Sequence, residues 1–170
     1  MVKIIRRLLG DYKEKQMVMI IPNRQLKPVN ILIVEDNRAD IRLIEEAFKE
    51  GKLYIDLDVA EDGVEAMAYL RKEDNYKDVD SPDLILLDLN MPRKNGYEVL
   101  EEIKSDDNLK RIPVIIMTVS KEEEDILKSY NLHANAYIVK PVELNQFTET
   151  IKSLEDFWFT IVKLPPNNHI

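Results

Sequence analysis

From Val29 onward, short apolar runs alternate with stretches of helical periodicity. Val29-Asn30-Ile31-Leu32-Ile33-Val34 is nearly continuous in apolar residues, as a strand covered on both faces is. Ala39, Leu43, Ile44, Ala47 and Phe48 then recur on one side of a helix that closes near Gly51. Residues 53–60 give a weaker strand. Asp62 with Glu65 three positions later marks a helix start, and Ala66, Met67, Tyr69 and Leu70 supply its buried side. Residues 74–82 are polar, end in Ser81-Pro82 and predict a loop. Leu84–Leu87 is a fully apolar strand, and Val99, Leu100 and Ile103 mark a third helix. Pro113 introduces the strand Val114-Ile115-Ile116-Met117. The acidic segment Lys121–Leu132 predicts a fourth helix facing inward with Ile126, Leu127 and Tyr130. Ala136–Val139 is a short last strand, followed by a long final helix from about Glu143.

Five strands alternating with five helices predict an α/β fold: a doubly wound parallel sheet with right-handed crossovers and helices on both faces. Strand order 2-1-3-4-5 fits best, and it places a site at the carboxyl ends of the strands.

The length, 170 residues, suits one domain. Charge divides the chain. Residues 1–28 carry seven basic residues against Asp11 and Glu14, a net of +5. The whole chain carries −8, which leaves −13 on the other 142 residues. We therefore expect a basic extension over 1–28, a domain over 29–164 with an extended last helix, and a short tail over 165–170. The absence of cysteine excludes disulfide scaffolds, thiolate metal sites and thiol catalysis. His133 and His169 are the only imidazoles, too few for a histidine-rich centre. An acidic body is a poor nucleic-acid binder. No apolar run reaches the 18 or so residues of a membrane span, and no signal-peptide pattern opens the chain, so the expected location is the cytoplasm.

The chemistry falls at strand ends. Glu35 and Asp36 follow the first strand, Asp88 the third, Thr118 the fourth, and Lys140-Pro141 the fifth. In the order 2-1-3-4-5 those four strands are neighbours about 4.8 Å apart, so the groups can converge on one edge. Three carboxylates in one pocket repel each other, and a hard divalent cation such as Mg²⁺ resolves the conflict with oxygen ligands. Lys140 adds a point charge and Thr118 a hydroxyl donor, equipment for holding a transferring phosphoryl group. Asp88 is the best nucleophile candidate, because carboxylates form acyl phosphates.

Val34-Glu35-Asp36-Asn37, Leu86-Leu87-Asp88-Leu89-Asn90-Met91-Pro92, Met117-Thr118 and Tyr137-Ile138-Val139-Lys140-Pro141 together resemble the response-regulator receiver domain of two-component systems. The likeness extends from about Asn30 to Ile161. It implies the flavodoxin-like form of the predicted fold. It implies that Asp88 accepts a phosphoryl group from a histidine kinase, that Asp36 binds Mg²⁺ directly and Glu35 through water, and that the Asn90 carbonyl completes the protein ligands. Lys140 would pair with phosphoryl oxygens, Thr118 would turn its hydroxyl to them, and Tyr137 would report that shift to the surface of the fourth helix, fifth strand and fifth helix. The Lys140–Pro141 bond would be cis. Such a domain is not an enzyme on external substrates; it catalyses only its own phosphorylation and dephosphorylation. Val119 is larger than the residue usual after the threonine, and we expect it either to restrict access to the phosphoryl group or simply to end a buried strand.

About nine residues follow the final helix, so a stand-alone receiver that signals through an unknown downstream protein is expected. Leu144, Phe147, Ile151, Leu154, Trp158 and Ile161 recur at 3-4-3-4-3 spacing, and Phe157, Phe159, Val162 and Leu164 add apolar surface. This ending predicts a homodimer through Phe157, Trp158 and Ile161, with cover by the basic extension as the other reading. The segment Phe157–Pro165 also resembles single-domain regulators that serve phytochrome-type and related sensor histidine kinases. For residues 1–28 two readings stay open, a short basic amphipathic helix against anionic lipid or the acidic body, and a frayed tail with Met17 and Met19 as alternative starts. Two other functions remain as rivals: an aspartyl-phosphate hydrolase of haloacid-dehalogenase type and a flavin-binding module.

Overall fold

A computed structural model describes residues 28–165 apart from Lys52. The expectations for residues 1–27 and 166–170 lie outside the described residues. Five strands, β1 (Val29–Val34), β2 (Ile55–Ala60), β3 (Leu84–Leu87), β4 (Val114–Thr118) and β5 (Ala136–Val139), form one parallel sheet in the order β2-β1-β3-β4-β5. Helices α1 (Arg38–Lys49), α2 (Gly63–Leu70), α3 (Gly96–Ser105), α4 (Glu123–Asn131) and α5 (Leu144–Glu155) alternate with them. A single 3₁₀ turn, Asp74–Tyr76, interrupts the polar loop before β3.

The central strands are apolar at nearly every position because both faces of the sheet are covered. On one face Leu32, Val34, Ile85, Leu87, Val114 and Ile116 pack with the buried sides of α2 and α3. On the other, Ile31, Ile33, Leu84, Leu86, Ile115 and Met117 pack with Ile44, Ala47 and Phe48 of α1 and Phe147, Ile151 and Leu154 of α5. On α1 the buried residues also include Ile41, whereas Ala39 is exposed.

Two elements depart from the pattern expected of them. On α4 the inward residue is Ser129, not Ile126, Leu127 or Tyr130. Its hydroxyl returns to the Asp125 carbonyl at 2.8 Å, so a small satisfied residue lets the helix approach, while Leu127 and Tyr130 face solvent. The final helix does not continue as one α-helix to Ile161. It ends at Glu155, and Asp156–Ile161 is wound as a π-turn, with Val162 N–H donating to Phe157 O at 3.0 Å. The wider winding breaks the 3-4 seam. Trp158 and Phe159 stay against the α1–α5 core, while Phe157 and Ile161 are exposed. Leu144, at the head of the expected seam, is exposed as well.

Candidate functional site

Strand register builds the site. Val34 pairs with Leu87, so Glu35 and Asp88 are the next residues on adjacent strands. Leu87 pairs with Ile116, and Thr118 with Val139, which brings Thr118 and Lys140 to the same edge. Backbone bonds hold these ends: Glu35 N–H to Ala60 O, Asp88 N–H to Val34 O, and Lys140 N–H to Thr118 O at 2.7 Å.

Caps fix the loops that follow. Asn37 caps α1 by accepting from Ala39 N–H, and Asn37 N–H donates to Glu35 Oε1 at 3.1 Å. The Glu35-Asp36 pair is thus pinned between a strand end and a helix start. After β3, Asn95 caps α3 in a closed capping box with Glu98. Asp62 caps α2, is buried, and pairs with Arg93 from the loop after Asp88.

Glu35, Asp36 and Asp88 each offer an oxygen, and these oxygens lie within 4.8 Å of one another. Glu35 and Asp88 are buried and Asp36 is exposed. Burial pushes the Glu35 carboxyl up to about 7, against the lowering pull of Lys140, and the nearby Asp88 charge adds to the rise. An all-oxygen set of crowded carboxylates, one of them resisting ionisation, suits a hard divalent cation.

Lys140 enters from the end of β5. Its Nζ donates to Glu35 Oε2 at 2.5 Å and to Asp40 Oδ2 at 2.8 Å, and lies 3.5 Å from Asp88 Oδ2. Burial disfavours its charge, but the bonds to Asp40 and Glu35 outweigh burial and hold its pKa above the usual lysine range. The Lys140–Pro141 bond, expected in cis, is trans, since no cis peptide occurs among the described residues. Trans is the lower-energy isomer of an X–Pro bond by about 0.5–1 kcal/mol.

Thr118 is fully buried, with Oγ1 3.5 Å from the side-chain amide of the exposed Asn90. Val119 beside it is exposed, so it does not end a buried strand. Tyr137 is half-buried and donates to Ser120 O at 3.2 Å. Ser120 in turn donates to Asp125 Oδ2 at 2.5 Å, and Tyr97 donates to Asp125 Oδ1 at 2.6 Å. Tyr137 is therefore tied, through the residue two beyond Thr118, to α4 and α3. Sequence reasoning missed Asp40, Ser120, Asp125 and Tyr97. Asp125 sits within the acidic segment Lys121–Leu132, whose outward and inward members look alike until α4 is placed, and Ser120 lies just before it. Phe157, Trp158 and Ile161 lie at the π-turn after α5, apart from this pocket in sequence and element.

Residues 31–152 match the family described as the response regulator receiver domain. The response regulator Rcp1 of Synechocystis sp. is 44% identical over 138 residues, which are 81% of this chain and 94% of that protein. Among solved structures, the phosphorylated cyanobacterial phytochrome response regulator RcpA matches with a TM-score of 0.79 at 50% identity, over 82% of this chain and 99% of that one. The Mn(2+)-bound form of Rcp1 matches with a TM-score of 0.79 at 44% identity, over 82% and 100%. No helix among the described residues is long and apolar enough to cross a membrane.

Proposed function

The chain belongs to the response-regulator receiver family, and from that premise we propose that it is a phosphoryl-accepting switch: a histidine kinase donates to Asp88, and the output is a contact with another protein in the cytoplasm. The observation that carries this reading is the gathering of Glu35, Asp36 and Asp88 within 4.8 Å, with Lys140 Nζ 3.5 Å from Asp88 Oδ2.

Glu35, Asp36, Asp88 and the carbonyl of Asn90 are the residues that would hold Mg²⁺, which supplies charge neutralisation for a phosphoryl group when bound. The chain's own groups do the rest. The Asp88 carboxylate is the nucleophile and is oriented by the Leu89 N–H, which donates to its Oδ1 at 2.8 Å. Lys140 supplies an ammonium for phosphoryl oxygens, and Thr118 a hydroxyl. Movement of Thr118 would be felt at Ser120 and so by the hydroxyl of Tyr137 and by Asp125 on α4. The exposed Leu127, Tyr130, Val142 and Leu144 suit α4, β5 and α5 as the contact surface. The exposed Phe157 and Ile161, with Trp158 beside them, suit a homodimer.

Labelling with acetyl phosphate and Mg²⁺ tests the reading. The wild type is expected to gain one phosphoryl group by intact mass, and Asp88→Ala none. Equal labelling of the two, or steady turnover of phosphate monoesters, overturns it.

A further inference from the structure

Asp40 is the acidic residue in the first turn of α1, and spacing alone does not set it apart from Glu35 and Asp36 just before the helix or Glu45 and Glu46 within it. The fold does distinguish it. Its Oδ2 lies 2.8 Å from Lys140 Nζ, nearer than Asp88 Oδ2 at 3.5 Å. An ammonium has three N–H donors. Two are taken by Glu35 and Asp40, and the third meets Asp88 beyond the usual hydrogen-bond range of about 2.7–3.2 Å. The Lys140 side chain is 5% exposed and that of Asp40 22%, so the pair sits at the rim of a pocket where salt screens weakly. Asp40 is not among the carboxylates that gather for a cation.

We propose that Asp40 is a positioning residue that holds Lys140 on the α1 side of the pocket before phosphorylation, in competition with the phosphoryl group. The inference rests on the function proposed above. In the step itself an Asp88 oxygen attacks the phosphorus of acetyl phosphate. The new Asp88 O–P bond forms as the donor's P–O bond breaks, and acetate leaves with the electron pair. No proton is transferred and the total charge is unchanged. The phosphoryl oxygens then bring two negative charges beside Asp88, and Lys140 leaves Asp40 for them. Part of the attraction between Lys140 and the phosphoryl group is thus spent on breaking the Asp40 contact. Asparagine at position 40 keeps the size and an acceptor oxygen but removes the competing charge. A residue that merely complements the α1 dipole would weaken the helix when neutralised and leave phosphoryl affinity alone.

The test uses the full chain, with beryllofluoride and Mg²⁺ as the phosphoryl mimic, followed by calorimetry. Asp40→Asn is expected to bind the mimic about fivefold to tenfold more tightly, the scale set by exchanging a charge-assisted hydrogen bond for a neutral one. Asp40→Glu restores the charge and is expected to return affinity toward wild type. In a Lys140→Ala background the Asp40→Asn gain is expected to vanish. A second readout needs no metal: the ¹⁵N ammonium resonance of Lys140 exchanges its protons slowly in wild type and faster in Asp40→Asn. Unchanged or weaker binding by Asp40→Asn, with wild type binding normally, overturns the Asp40 inference alone. So does a gain that survives in Lys140→Ala. A wild type that binds no beryllofluoride overturns the proposed function, and this inference with it.

Discussion

Lys104, near the end of α3, is a half-buried cation outside the acidic pocket. Its Nζ donates to Ile112 O at 2.8 Å, Asn135 Oδ1 at 3.1 Å and Lys110 O at 3.3 Å, closing the 106–112 loop onto the start of β4. Burial pushes its pKa down to about 8. Below that value Lys104 is charged in the folded and the unfolded chain alike. Between about 8 and the ordinary lysine value of 10.5 the unfolded chain binds more protons than the folded one, so this residue makes the fold more stable as pH rises through that window. Lys104→Met is expected to cost about 1 kcal/mol at pH 7, because the two carbonyls lose their donor. It is also expected to fall further behind the wild type as pH rises from 8 to 10. Urea melts of both proteins across that range measure it, and a gap that narrows with pH contradicts the assignment.

At the scale of elements, the loop from Asp88 to α3 depends on one glycine. A Cβ at Gly96 would meet Asp88 O and the Cα of Leu89, which are backbone and cannot turn aside. Gly96 thereby lets the α3 N-terminus lie directly against the peptide of Asp88, the proposed nucleophile, and Gly96 N–H donates to Leu89 O at 2.9 Å. Gly96→Ala is expected to destabilise by about 1–3 kcal/mol through overpacking and to slow acetyl-phosphate labelling in protein that remains folded. Thermal melts and labelling rates check both parts, and a variant equal to wild type in both removes this role. The strands were legible from sequence because a doubly covered parallel sheet needs apolar runs, and the acidic site was legible because its residues sit directly after those runs. What escaped depended on helix rotation or tertiary contact. Asp40 is one acid among several until Lys140 crosses from β5. Ser129 is buried only because α4 comes close, and the change to π-winding at Asp156 leaves no mark in a seam that repeats regularly through it.

For the whole molecule, the π-turn separates two roles that a continuous seam would merge. Had α5 run on as one stripe, Trp158 and Ile161 would share a face with Phe147, Ile151 and Leu154. Instead Trp158 and Phe159 complete the α1–α5 core, while Phe157 is 49% and Ile161 73% exposed, and Phe157 packs edge-on to Trp158 with ring centroids 5.6 Å apart. An exposed Phe157 set edge-on against the half-buried Trp158, with the exposed Ile161 in the same turn, presents an apolar patch of the kind a self-complementary two-fold interface uses. The dimer proposal therefore calls for variants on the outward residues. Phe157→Ser with Ile161→Ser is expected to give a monomer by light scattering at concentrations where wild type is dimeric, with the monomer's own fold intact. Trp158→Ala is expected to weaken the dimer and also to cost the monomer about 2 kcal/mol, less than the ~3–5 of a fully buried aromatic. A wild type that stays monomeric over the whole concentration series removes the dimer, and the patch is then left to the downstream partner.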